Sequence, residues 1–186
     1  MTETTTHGPV LPGFPHRVVL TGFMGSGKST VGRILARSVW WRFIDVDREI
    51  EHAAGTTIAE IFRLHGESHF RQLEHITIAR FLTERRIVLA LGGGAIEDER
   101  TRALLLSDPA TRLVHLEASF DTVLLRTSGT DAVRPVLADR ANLEARYLRR
   151  LPLYRLAHLT LPVDNLTPRA AAQALADRLQ LAPPTA

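Results

Sequence analysis

The stretch GFMGSGKST, Gly22–Thr30, holds the only lysine among 186 residues. Every other cationic side chain besides histidine is arginine, so position 28 asks for something a guanidinium does badly. A compact ammonium on a flexible stem can follow a phosphate as it moves, whereas arginine's planar fork is bulkier and fixed in shape. The neighbouring residues supply the phosphate site. Gly22 to Ser29 fits the pattern G-x-x-x-x-G-K-S, directly after the strand candidate RVVLT and directly before the helix candidate STVGRILARSV. In that setting the backbone N–H groups of Gly25, Ser26, Gly27 and on to Thr30 wrap an anion at a helix N-terminus. Lys28 would bridge the outer phosphates, and Ser29 would then ligate magnesium.

Outward from this loop, short aliphatic runs alternate with longer stretches of helical period, the pattern of an α/β protein with a parallel sheet. Five strands are expected: Arg17–Thr21, Arg42–Ile44, Ile87–Leu91, Arg112–Leu116 and Leu159–Val163. Helix starts are marked by Ser119 before FDTVLLR and by Thr167-Pro168, a cap residue with proline at the first helical position. Ligands of such open sheets bind beyond the carboxyl ends of the strands, where the glycine-rich and acidic motifs of this chain all fall.

Composition narrows the alternatives. A 186-residue chain, 45% hydrophobic and 23% charged, fits one domain over 17–181, with a loose Pro- and Gly-containing tail over 1–16 and a short tail over 182–186. No cysteine means no disulfide, no thiolate zinc site and no cysteine nucleophile. No export signal opens the chain and no run approaches the roughly 18 apolar residues of a membrane span, so a cytoplasmic protein without membrane contact is expected. A net charge of +3, with arginines scattered among acids and no aromatic interleaving, points to local anion sites rather than a nucleic-acid surface.

Four further stretches carry chemistry. FIDVD sets Asp45 and Asp47 two residues apart, on one side of an extended chain. They read either as a solvated acidic loop or as a pair in which one carboxylate holds magnesium through water and the other takes a substrate hydroxyl's proton. GESHFRQLEH puts Arg71 and Glu74 at i, i+3 on a helix, which alone reads as a surface ion pair. Gly92, Gly93 and Gly94 close the third strand, where missing side chains let a ligand approach. The histidines His65 and His69 have the spacing of helical metal ligands, but Gly66 between them argues for a break, with a new helix from about Glu67. In RYLRRLPLYR, Arg146 and Arg149 read as solvated.

Taken in order, the phosphate loop, FIDVD, GESHFRQLE, GGG, Arg134-Pro135 and RLPLY (Arg150–Tyr154) resemble the signature of the shikimate kinases over roughly Arg17 to Leu181. The lid sequence RPVL and the Arg155 after Tyr154 depart from the usual pattern without touching an implied ligand. The resemblance implies a nucleoside-monophosphate-kinase-like fold of three layers, a five-stranded parallel sheet flanked by helices, with a mobile lid over about 127–139. It implies transfer of the γ-phosphoryl of ATP to the 3-hydroxyl of shikimate on the route to chorismate and the aromatic amino acids, with Mg2+ as cofactor and a monomer as the working form. It implies that Asp47, Arg71, Gly93 and Arg150 hold shikimate, the two arginines by its carboxylate, with Phe62 and Phe70 walling the ring and Glu74, Gly92 and Gly94 completing the pocket. Lys28 and Arg134 contact the transferring phosphoryl, Asp47 assists the hydroxyl, Ser29 and Asp45 hold the metal, and Arg126 covers adenine. The alternatives are a kinase of a related hydroxy acid such as gluconate, or a non-catalytic nucleotide- or shikimate-binding regulator, whose usual mark would be a lost lysine or aspartate.

Overall fold

A computed structural model describes residues 15–127 and 140–182. Five strands, β1 (Arg17–Thr21), β2 (Arg42–Asp45), β3 (Ile87–Ala90), β4 (Thr111–Glu117) and β5 (Leu159–Pro162), form one sheet in the order β2-β3-β1-β4-β5. Every pairing is parallel, with Val19 opposite both Leu89 and Leu113. Parallel strands joined by helical crossovers are covered on both faces, which is why the central runs VVL of β1 and IVLA of β3 are continuously apolar rather than alternating. Val18, Val19 and Leu20 of β1 and Val88 and Leu89 of β3 are fully buried.

The helices are α1 (Lys28–Ser38), α2 (Val46–Ala54), α3 (Ile58–Phe81), α4 (Glu99–Ser107), α5 (Phe120–Thr127), α6 (Arg140–Tyr154) and α7 (Pro168–Arg178), with a 3-10 turn at Ala95–Glu97. The expected caps are in place: Thr167 Oγ1 accepts from Ala170 N–H, and Ser119 Oγ accepts from Thr122 N–H. In α1, Val31, Leu35 and Ala36 form the buried stripe. The helical path of α3 breaks at Gly66 (φ 78°, ψ 173°), as the glycine between the two histidines led one to expect. The break nonetheless leaves the His65 and His69 rings 4.8 Å apart.

Of the tail expected over 1–16, only Pro15 and His16 are described. Pro15 is buried, and His16 N–H donates to Ala110 O while its own carbonyl accepts from Arg86. Arg134, nearly all of the expected lid, and all but residue 182 of the expected C-terminal tail lie outside the described residues. Among the described residues no helix is long and apolar enough to cross a membrane.

The order of the strands matters for function. From β1 the chain moves to one side through β2 and β3, then to the other through β4 and β5. The loop after β1 therefore opens at the point where the winding reverses, the usual crevice for a ligand in such sheets.

Candidate active site

Gly27 stands at the N-cap of α1 with φ 93°, a conformation that favours glycine, and no side chain caps the helix. The first N–H groups of α1 are thus left for an anion. They line a cavity of about 430 Å³ formed by Gly25 to Val31 together with Arg126, Val163 and Pro168. Arg126 reaches this cavity from α5 and is fixed there by donation to the Val163 carbonyl at 2.8 Å. The phosphate loop and the arginine expected over adenine therefore share one pocket.

Lys28 folds back on its own loop, donating to the carbonyls of Gly22 (2.8 Å) and Phe23 (3.0 Å). Burial lowers its pKa to about 8, against the opposing pull of Asp47 and Asp45 and with a smaller push from Arg150. Ser29 Oγ donates to Asp45 Oδ2 at 2.7 Å. A hydroxyl and a carboxylate beside a phosphate site suit magnesium, which takes one or two protein oxygens and fills its shell with water and phosphate. Among the described residues no three His, Cys, Asp or Glu side chains converge.

The two aspartates are not neighbours on an extended chain. Asp45 ends β2 and Asp47 lies in the first turn of α2, because the chain enters the helix at Val46. The charges still act on each other: burial first, then Asp45, raises the pKa of Asp47. Asp47 Oδ1 is buried with no hydrogen-bond partner, and so is Glu74 Oε1. Buried oxygens left without a partner are costly, so a ligand that donates to them is accommodated readily.

Arg71 and Glu74 do not form a surface pair. Glu74 is 1% exposed, and its Oε2 accepts from Arg71 Nη1 at 2.6 Å while Glu67 takes Nη2. Burial raises the Glu74 pKa to about 7, opposed by Arg71 and reinforced by Asp47 and Asp98. The Arg71 guanidinium lies over the Phe70 ring, which packs against Phe62 at 4.8 Å between centroids.

The three glycines after β3 draw these groups together. A β-carbon on Gly94 would collide with the Arg71 guanidinium, one on Gly92 would stand 2.8 Å from both Asp47 Oδ1 and Glu74 Oε1, and one on Gly93 would lie 3.6 Å from Arg150 Nη1. Gly93 also faces the phosphate loop, 3.6 Å from Gly22 O by the same measure. Lys28, Asp45, Asp47, Arg71, Glu74 and Arg150 thus gather around two adjacent loops at one edge of the sheet.

Two participants escaped sequence reading. Glu97, in the 3-10 turn, binds Arg150 through Nε at 2.8 Å and also accepts from Arg149 at 3.1 Å, so Arg149 is paired rather than simply solvated. Tyr154, buried at the end of α6, donates its hydroxyl to the Gly93 carbonyl. The tyrosine was visible in RLPLY, but nothing local announced its partner; Glu97 had no signal at all beyond following the glycines.

A family model described as shikimate kinase matches residues 24–180. The chain is 44% identical over 167 residues to a shikimate kinase of Thermobifida fusca, covering 88% of this chain and 95% of that one. It is 42% identical over 163 residues to one of Salinibacter ruber, covering 82% and 79%. Its fold superposes on a shikimate kinase from Acinetobacter baumannii in complex with shikimate with a TM-score of 0.81 at 35% identity, over 89% of this chain and 93% of that one.

Proposed function

This chain belongs to the shikimate kinase family, and we propose that it transfers the γ-phosphoryl group of ATP to the 3-hydroxyl of shikimate, releasing ADP and shikimate 3-phosphate. The observation that carries the assignment of roles is the placement of Gly93, where a β-carbon would lie 3.6 Å from both the phosphate loop at Gly22 O and the Arg150 guanidinium. A nucleotide's terminal phosphate and a small carboxylic acid held at those two places would be neighbours.

In this reading the phosphate loop and the N-terminus of α1 cradle the phosphates, and Arg126 lies against the adenine. Lys28 exchanges its carbonyl partners for oxygens of the transferring group. Arg71 and Arg150 grip the acceptor's carboxylate by charge-assisted hydrogen bonds. Phe62 and Phe70 wall the ring. Asp47 accepts a hydrogen bond from the 3-hydroxyl and receives its proton as transfer proceeds, at an oxygen that otherwise has no partner. Ser29 and Asp45 would hold Mg2+, which when bound neutralises charge on the β- and γ-phosphates. Arg134 joins the phosphoryl group from the lid. Phosphoryl transfer is mostly positioning and charge stabilisation, so these residues suffice without a covalent intermediate. The same reading takes the working form as a monomer acting in the cytoplasm.

The family match disfavours gluconate as acceptor, and the presence of Lys28, Asp45, Asp47 and Arg71 disfavours a non-catalytic descendant. The test is coupled ADP release with a panel of hydroxy acids and polyols, with Lys28→Met and Asp47→Asn as controls. Shikimate is expected to lead the panel. Faster turnover of gluconate, or none with shikimate, would reject the proposal.

A further inference from the structure

Arg150 is a nearly buried arginine held by a carboxylate from a neighbouring turn. Its side chain is 11% exposed and its guanidinium lies 5.8 Å from the Phe23 ring centroid. Both Nε (2.8 Å) and Nη2 (2.7 Å) point at a single atom, Glu97 Oε2. That leaves Nη1, the nitrogen facing Gly93, free of Glu97. The other carboxylate oxygen, Oε1, is taken by Arg149, whose side chain is 65% exposed.

A guanidinium can donate along three edges, and an arginine on a long stem loses much rotamer freedom when it is fixed. Engaging the Nε edge fixes the plane of the group and aims its remaining edge. Glu97 does so from the turn that directly follows the three glycines, so the anchor is continuous in the chain with the loop it serves. The arrangement parallels Arg71, whose plane is set by Glu74.

We propose that Glu97 is a positioning residue for the acceptor, acting only through Arg150 by turning its Nη1 edge toward Gly93 and the acceptor's carboxylate. The inference rests on reading Arg150 as a ligand of that carboxylate. The rival role for the same contact is competition, with Glu97 occupying the place the acceptor needs.

The two roles predict opposite signs. Glu97→Gln is expected to raise the shikimate KM about tenfold, the scale of weakening one charge-assisted bond, while kcat and the ATP KM stay unchanged. Glu97→Asp should recover part of the loss, Arg149→Ala should leave shikimate KM near the parent value, and Glu97→Gln should add nothing in an Arg150→Ala background. Independently of turnover, the Arg150 Nε–H resonance of the ligand-free protein, assigned by its loss in Arg150→Ala, should exchange slowly in the parent and be lost in Glu97→Gln. A shikimate KM that is unchanged or lowered in Glu97→Gln, or an Nε–H signal indifferent to it, overturns the inference. An Arg150→Ala enzyme with the parent's shikimate KM overturns instead the underlying assignment of Arg150, so the two failures are distinguishable.

Discussion

Asp47 Oδ1 and Glu74 Oε1 aim at the same point, each 2.8 Å from where a β-carbon on Gly92 would stand. Neither oxygen has a hydrogen-bond partner, and both belong to carboxyl groups whose pKa is raised by burial. A methyl group at residue 92 would sit well inside contact distance of both, so a buried carboxyl group or the glycine loop must shift. Gly92→Ala should therefore fold but lose about a hundredfold in kcat/KM for shikimate, the usual scale for misplacing a reacting group by about 1 Å. Steady-state kinetics beside a thermal melt would check this; an enzyme of near-parent activity would show that the loop has room to spare.

Glu74 also predicts how stability varies with pH. Its carboxyl titrates near 4.5 when unfolded and near 7 in the fold. Between those values the unfolded chain has given up a proton that the folded chain keeps, so stability falls as pH rises across the window. The contribution is greatest below pH 4.5 and fully lost above 7, with a slope of up to about 1.4 kcal/mol per pH unit from this one group. Glu74→Gln cannot titrate. Denaturant unfolding at intervals from pH 4.5 to 7.5 should show a flatter profile for the variant than for the parent; parallel profiles would mean that Glu74 ionises normally in the fold.

The fold and much of the site were legible because their signals are local. A strand at the centre of the sheet reads as a short continuous aliphatic run, and all five expected runs are strands, with ends displaced by a residue at most. The phosphate loop is contiguous, so its pattern is its geometry. What failed was whatever depended on the next element or on a distant one. Asp45 and Asp47 were placed on one extended face because nothing in FIDVD shows that the helix begins at Val46. Arg71 and Glu74 have the spacing of a solvent-exposed pair, and only packing against the glycine loop buries the glutamate. Glu97 and Arg150 are 53 positions apart and meet only because β3 and α6 end at the same edge.

Lys28 should leave its mark on the alkaline side of the pH–rate profile. Its ammonium titrates near 8 because burial disfavours charge, and the charged form, which the phosphoryl group needs, exists below that pH. In the free enzyme kcat/KM should fall as pH rises through about 8. ATP brings negative charge to the ammonium and holds its proton more tightly, so the fall in kcat should lie at higher pH. Lys28→Met should lower kcat by about a hundredfold or more while leaving the shikimate KM nearly unchanged, since the lost contact forms mainly to the transferring group. A parent profile flat in kcat/KM to pH 9.5 would contradict the burial of this ammonium.

Tyr154 offers the cleanest separation of hydrogen bond from packing. Its ring stacks on His115 of β4 at 5.1 Å between centroids, while its hydroxyl donates to Gly93 O, the carbonyl of the residue that lies between the phosphate loop and Arg150. Removing the hydroxyl alone leaves the ring in place and deprives that carbonyl of its donor and the Arg150 guanidinium of a hydrogen-bond partner, at a cost of about 1–3 kcal/mol. Part of that cost should appear as stability and part as looser placement of the glycine loop. Tyr154→Phe is thus expected to lower the melting temperature by a few degrees and raise the shikimate KM roughly three- to tenfold, with the ATP KM unchanged. Tyr154→Ala would also open a cavity beside His115 and should destabilise far more, by about 3–5 kcal/mol. If Phe and Ala variants lost stability equally, packing would contribute nothing beyond the hydroxyl; if Tyr154→Phe left the shikimate KM untouched, the bond to Gly93 would be structural alone.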